Sequence, residues 1–448
     1  MVSAVEVAFG EIDITPDVGG KAESVWIAGY GQGRAATGVH DPIMARCVVV
    51  KDGDKRIALV SADLIGMQLP DVRKVRAAIP EMDYVMVCST HNHEGPDVVG
   101  LWGRSPFHRG VNDHWIEEVV VKRMASMVRA ASARLSPVTA AFGTAKDQTL
   151  LNDSRQPTVF DDVLRTLVFR NVGDGKLAGI LVQWNSHPEA LGSKNKLLTA
   201  DFVASTVVAL EGKYDCPVAY FTGTVGGLLA PPSGRIKNAD GKALHGGDFE
   251  FSDVYGKAVA ALAAKAIDSA EAIELSPMSV KSTELVLPAT NMMYRVAKAI
   301  GVLTRDAWVW ENNPRKKGSA LNKETADEPM SIDTEVVCVR LGELSIAGIP
   351  GEIYPELVYG EFQNPADPGA DFPEAELETP ISEIMPTKRW MLFGLANDEI
   401  GYLIPERQWD SRKPYAYGRK KSQYGEINSC GPESARLVME ALDRCVGE

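Results

Sequence analysis

Two histidines two residues apart, His91 and His93, sit in Ser89-Thr90-His91-Asn92-His93-Glu94-Gly95-Pro96-Asp97, directly after the apolar run Tyr84-Val85-Met86-Val87-Cys88. That run reads as a buried strand. If the backbone stays extended beyond it, side chains two apart project to one side, and both imidazoles enter one cavity. Gly95-Pro96 then forces a turn. The chain holds seven histidines, so two of them at one strand end point to metal binding or acid–base chemistry. His187, in Asn185-Ser186-His187-Pro188, and Glu352, in Pro350-Gly351-Glu352, also follow apolar strands at a turn. Two imidazoles and a carboxylate, with a position left for water, form a recurrent catalytic zinc set. Each residue has a plainer reading. A single histidine beside a strand is commonly a hydrogen-bonded residue, and Glu352 also fits the first turn of a helix. Asp63, at another strand end, reads equally as an orienter of a ligand histidine and as a turn cap. His40, His108, His114 and His245 lack supporting context and read as structural or solvent-facing.

The elements that must position these residues follow one plan: an apolar strand, a polar or Gly-rich turn, often a helix. Six runs show it: Arg56 to Asp63, Tyr84 to Cys88, Gly179 to Trp184, Pro217 to Phe221, Leu344 to Ile349 and Trp390 to Leu395. Nearly continuous apolar strands mean sheets covered on both faces. Helical patterns alternate with them, over Trp115 to Ala131, Phe202 to Glu211, Val254 to Ile273 and Ser434 to Val446. The fold class expected is α/β, with mixed β-sheets covered by helices. In such folds the ligand crevice lies beyond the carboxyl ends of strands, where Asp63, His91, His93, His187 and Glu352 fall. Pro231 to Asp248 and Gln363 to Pro386 read as loops or lids. Residues 1–448 read as a single domain with a soft internal division near 272–288.

The net charge of −13 without a basic block excludes a nucleic-acid partner. No apolar run is long enough to span a bilayer. The start lacks the basic and apolar regions of a signal peptide. A cytoplasmic location is therefore expected for the chain as it stands, or a secreted or periplasmic one if a signal was removed. The six cysteines are scattered without Cys-x-x-Cys spacing, which argues against a disulfide framework or thiolate zinc site. Cys47, Cys88, Cys216 and Cys338 read as buried small hydrophobes.

Several blocks, taken in order, resemble the catalytic domain of the neutral/alkaline, non-lysosomal ceramidases. They are Ile12-Asp13-Ile14-Thr15-Pro16, Ala28-Gly29-Tyr30-Gly31, Val39-His40-Asp41-Pro42-Ile43-Met44-Ala45-Arg46 and Leu59-Val60-Ser61-Ala62-Asp63-Leu64. Then come Thr90-His91-Asn92-His93-Glu94-Gly95-Pro96, Asn185-Ser186-His187-Pro188, Pro350-Gly351-Glu352 and Gly394-Leu395-Ala396-Asn397-Asp398-Glu399-Ile400-Gly401-Tyr402. The resemblance implies a zinc-dependent amidase acting on a linear N-acyl amide, with one zinc per chain and a small-molecule or lipid-like acyl substrate of the sphingolipid type. It implies His91, His187, Glu352 and Tyr402 as zinc ligands. His93 becomes the non-ligating histidine that moves protons, Arg155 the group that polarises the substrate carbonyl, and Tyr424 the stabiliser of the oxyanion. It specifies no oligomeric state.

Two departures stand out. Where the family has a Gly-Asp-x-Ser-Pro-type segment, this chain reads Gly223-Thr224-Val225-Gly226-Gly227-Leu228-Leu229-Ala230-Pro231, without the acid and the serine. The immunoglobulin-like C-terminal domain of family ceramidases is expected to be absent. Two other functions compete with the amidase: a zinc hydrolase of an ester, lactone or phosphoester, and a non-catalytic binding protein on a degenerate hydrolase fold, supported by the altered glycine segment. Gly100-Leu101-Trp102-Gly103 and Pro106-Phe107 read as lining of an acyl channel or, the commoner role, as core packing.

Overall fold

The computed structural model describes residues 5–19, 24–104 and 112–447. His108 and Pro106-Phe107 lie outside the described residues. The six apolar runs form three parallel strand pairs. Lys55–Ala62 pairs with Tyr84–Ser89, Leu177–Trp184 with Val218–Thr222, and Leu344–Gly348 with Arg389–Phe393. A strand covered on both faces needs apolar side chains at successive positions, which is why these runs do not alternate with polar residues.

The first two pairs are the two ends of a nine-stranded sheet. Its path is Val218–Thr222, Leu177–Trp184, Val163–Asn171, Ser136–Lys146, Glu6–Asp13, Met44–Asp52, Lys55–Ala62 and Tyr84–Ser89, with Glu271–Ile273 added against Ser136–Lys146. The sheet curls until these ends meet. Thr222 Oγ1 donates to the Thr90 carbonyl at 2.7 Å, and Ser61 Oγ to the Tyr220 carbonyl at 2.5 Å. The third pair lies in a five-stranded sheet with Met278–Pro288, Met330–Leu341 and Trp308–Val309.

The sheets pack face to face, and the period-two rule sorts their side chains. In Lys55–Ala62, Ile57 and Leu59 face the other sheet, whereas Ala58, Val60 and Ala62 face helices. From the second sheet Val337, Val339, Ile346 and Phe393 enter the shared core. Phe221 and Phe393 stack across it with centroids 4.2 Å apart. Helices Leu69–Ala78 and Lys122–Ser132 cover one outer face of the large sheet. Those two lie over the half of that face nearer Tyr84–Ser89, Phe202–Tyr214 and Phe249–Asp268 over the half nearer Val218–Thr222, and Ser434–Gly447 covers the second sheet. The second sheet begins at Met278, within the soft division read from the sequence, but the two sheets share one core.

All four helices differ from their expected spans, Phe202–Tyr214 and Ser434–Gly447 only by running on at the C-terminal end. Phe249–Asp268 starts earlier than Val254 because Asp248 caps it, its Oδ1 accepting from Phe251 N at 2.8 Å. It stops before Ile273 because Glu271–Ile273 leaves to join the large sheet. The helix expected from Trp115 begins at Asp113 behind the Asn112 cap and passes through a π-helical segment, Ile116–Val121, before Lys122–Ser132. All six cysteines are buried, and none is in a disulfide. No described helix is long and apolar enough to cross a membrane.

Candidate metal centre

The carboxyl ends of the three parallel pairs converge, and each delivers a donor. His91 lies just beyond Tyr84–Ser89, with φ of +66°. An L-residue enters this left-handed region at a cost of ~1 kcal/mol or more, so neighbours must hold it there. Asn92 does so: its N donates to the Leu64 carbonyl, and its Nδ2 to the carbonyls of Asp63 and Thr199 at 3.1 and 2.7 Å. His91 and His93 therefore converge through a turn, not through the extended backbone expected from their spacing. His91 Nδ1 lies 2.7 Å from the Ile65 carbonyl, and His187 Nδ1 lies 3.1 Å from the Leu228 carbonyl. A carbonyl only accepts, so both rings carry a proton on Nδ1, which leaves Nε2 as the atom able to ligate an ion. Leu228 belongs to the altered glycine segment, which thus orients a donor histidine.

Glu352 and Tyr402 come from a two-stranded parallel ladder, Glu352–Ile353 with Tyr402–Leu403, in which these two residues are register partners. Partners in one register project to one face. Glu352 is not in a helix: the short Glu356–Tyr359 helix begins four residues later. Backbone bonds fix the ladder against the large sheet. Asn397 N donates to the Val87 carbonyl at 2.7 Å, Gly394 N to the Thr222 carbonyl at 2.9 Å and Gly226 N to the Ile353 carbonyl at 2.9 Å.

The result is compact. Glu352 Oε2 lies 3.1 Å from His91 Nε2 and 3.0 Å from His187 Nε2. The His91 and His187 rings are 4.5 Å apart between centroids, and the Tyr402 ring is 6.5 Å from His187. Donor atoms of His91, His93 and His187 lie within 4.8 Å of one another, as do those of His91, Glu352 and Glu399. Two Nε2 atoms this close to one buried carboxylate oxygen need a positive charge among them, either a proton on Nε2 or a metal ion. Without the ion, burial opposes charge on both partners, yet the imidazoles hold the Glu352 carboxyl below its ordinary range and Glu352 holds His91 above its own. The donor set of nitrogen and oxygen fits a divalent metal of the zinc type.

His93 stands beside this group and is neutral. Burial first, then the His91, His187 and Arg34 charges, push its pKa well below that of a free imidazole. Both its ring nitrogens are buried without a hydrogen-bond partner. Glu189 Oε2 lies 3.5 Å from Nδ1, His93 N donates to the Pro188 carbonyl at 3.0 Å, and Tyr30 meets the ring edge-on at 5.3 Å. Gly29, at φ +97°, makes room: a Cβ there would sit 2.5 Å from the ring. Glu189 and Glu399 are acidic neighbours the sequence reading did not assign. The signal was their spacing, two residues after His187 and three before Tyr402. Glu399 lies on the cavity wall, its carboxyl raised by burial and by Glu352.

The centre forms the floor of a cavity of about 740 Å³. Val99, Leu101, Trp102 and the helix Met292–Ala299 wall it. Leu101 and Trp102 also pack on the core, so they line the cavity and fill the core at once. Neither 231–248 nor 363–386, read as lids, borders it. Tyr424 does, and its hydroxyl oxygen accepts from Asn428 Nδ2 at 2.7 Å. Arg155 is brought to Tyr424 but not to the cavity wall. It forms a bidentate pair with Glu426, at 2.6 and 3.0 Å, and donates to the Tyr424 carbonyl at 2.9 Å. Asp63 touches no donor histidine. Its Oδ2 accepts from Arg46 and from Met44 N, both on the neighbouring strand Met44–Asp52, so it anchors two strands and serves neither as orienter nor as turn or helix cap.

Fold and centre together define a two-sheet α/β protein with a buried histidine–carboxylate group able to hold a metal. Among solved structures this is the fold of neutral ceramidase. The crystal structure of neutral ceramidase from Pseudomonas aeruginosa matches with a TM-score of 0.71 at 16% identity, over 99% of this chain and 74% of that one. A ceramidase complexed with C2 matches with 0.70 at 15% identity, over 99% and 75%. No protein-family model and no curated protein matches the sequence. What the identity supports is a shared fold, and it is the one the ordered sequence blocks implied.

Proposed function

We propose that the chain is a zinc-dependent hydrolase that cleaves the N-acyl amide bond of a lipid-like substrate. The observation that carries this is the meeting of His91 Nε2 and His187 Nε2 on one Glu352 oxygen, at the floor of an apolar cavity. His91, His187, Glu352 and Tyr402 would hold the ion. Bound there, zinc supplies Lewis-acid polarisation of the acyl carbonyl and a water acidic enough to react near neutral pH. His93, neutral and facing the donors, takes the proton of the attacking water and passes it to the leaving amine. Gly29 and the Tyr30 ring shape the place of the His93 ring, and Glu189 faces its Nδ1 at 3.5 Å. Tyr424 uses its accepting lone pair on Asn428, which leaves its O–H to donate to the developing oxyanion. Burial first, then Glu352 and Glu189, push its pKa up to about 12, so it stays a donor at working pH. Arg155 acts through Tyr424, by holding its carbonyl, and not on the substrate.

The ceramidase fold and the cavity support the amide reading and a sphingolipid-type substrate. The orientation of His187 by the Leu228 carbonyl supports a working centre over a degenerate binding protein. The test is metal content by mass spectrometry on wild type and Glu352→Ala, followed by a panel of acyl amides, esters, lactones and phosphoesters. Near-stoichiometric zinc lost in the variant, with release of free amine, is expected. No transition metal in either protein after zinc is supplied would overturn the reading. Turnover of esters, lactones or phosphoesters alone would reassign the bond.

A further inference from the structure

The helix Met292–Ala299 at the cavity mouth has its polarity reversed. At about 100° per residue, Met292, Met293, Val296 and Ile300 form one stripe. They are 66%, 58%, 44% and 44% exposed. The other side carries the polar anchors. Arg295 donates to the carbonyls of Ala326 and Glu328, Lys298 Nζ to the Arg305 carbonyl at 2.5 Å, and the Tyr294 hydroxyl to the Ile400 carbonyl at 3.1 Å. A surface helix ordinarily turns its apolar stripe inward. Tyr424 and Ile427 stand half exposed on the same rim. Of the eleven large hydrophobics exposed among the described residues, these six lie at or beside one mouth, a concentration that marks an interaction face.

We infer that this face docks on the surface of a zwitterionic lipid aggregate. Met293, Val296 and Ile300 belong both to the stripe and to the cavity wall, so whatever covers the stripe also covers the mouth. A second copy of the chain seated there would close the cavity against its own substrate. A lipid surface covers the mouth and contains the molecules an apolar cavity takes. The sign of charge selects the lipid: the chain carries −13, and the helix's own cations, Arg295 and Lys298, are spent on carbonyls. That disfavours an anionic surface and leaves apolar insertion as the attraction. The choice of lipid as occupant rests on the acyl-hydrolase reading; the reversed helix does not.

The test is co-sedimentation of the full chain with phosphatidylcholine vesicles, for wild type and the double variant Met292→Glu/Val296→Glu, with melting curves and gel filtration in parallel. Wild type is expected to bind, the variant to bind about tenfold more weakly or less, and added phosphatidylserine not to strengthen binding. The variant should melt within about 2 °C of wild type. Absent wild-type binding, or equal binding by the variant, overturns the inference. So does a wild-type dimer that the variant breaks, which means a second copy, or a large fall in melting temperature, which means the chain's own residues cover the stripe. Binding is read without substrate, so its failure leaves the hydrolase reading standing, and loss of zinc would not change it.

Discussion

His91 and His187 reach the same carboxylate from opposite ends of one sheet, and the two arms are built differently. Both follow a parallel strand, and both lock Nδ1 to a backbone carbonyl. The His91 arm is almost local: its carbonyl is Ile65, at the end of the neighbouring strand, and Asn92 beside it holds the turn. The His187 arm is assembled from afar. Its carbonyl, Leu228, depends on a glycine segment that is itself hydrogen-bonded to Ile353, next to the shared carboxylate. A donor at a strand end thus needs a carbonyl to fix its tautomer. The chain supplies that carbonyl once by proximity and once by a relay that also sets Glu352.

The largest effect should come from cutting both arms where they meet. Glu352→Ala, like His91→Ala or His187→Ala, is expected to lower bound zinc at least tenfold and abolish turnover, read by mass spectrometry and amine release. His93→Ala should leave the zinc in place while kcat falls roughly 10²–10⁴-fold. If it strips the metal as thoroughly as His91→Ala, His93 is a ligand and its proton role is wrong.

Each arm can then be weakened alone. Gly226→Ala puts a Cβ 2.5 Å from the Tyr354 ring and 2.7 Å from Ile353 backbone. It should loosen the His187 arm and cut zinc affinity about 10–100-fold. Asn92→Ala removes three buried hydrogen bonds and should do the same to the His91 arm, at a stability cost of ~3 kcal/mol. Unchanged zinc affinity in both variants, by competition with a chromogenic chelator, would mean that the carbonyl locks do not matter.

The smallest effect separates Glu352 from another carboxyl four residues on. Glu356 is buried with no cation paired to it; burial, then Asp153, push it up to about 7 despite Arg155. A carboxyl raised in the fold stabilises fully below its unfolded pKa, near 4.3, and that stability is lost as pH rises through 7. Glu356→Gln escapes the loss, so its advantage over wild type should grow by about 2–3 kcal/mol from pH 5 to pH 8 in urea titrations. A constant difference would show that Glu356 keeps its ordinary pKa.

Legibility in the sequence followed the physics of each feature. The six strands without alternation could be read because parallel strands buried on both faces leave that mark. The meeting of His91, His187 and Glu352 could be read because polar side chains gather where such strands end. What could not be read depended on contacts far apart in sequence. Gly29 is needed for the His93 ring, Arg155 is spent on Glu426, and the Leu228 carbonyl orients His187. The helix Met292–Ala299 escaped because its stripe faces outward, against the pattern that identifies a packed helix.

The stitch from Asn397 to Val87 spans 310 positions, and the donors 91, 187, 352 and 402 are strung along most of the chain. At about 5–20 residues per second, synthesis takes roughly 10–40 s to advance from the second imidazole to Tyr402. Until Glu352 is made, late in that interval, a nascent chain displays the two histidines without the carboxylate that meets them. On the proposed ligand set, full coordination would be a late event, and a retained ion would certify that a polypeptide had been made, threaded and closed through residue 402.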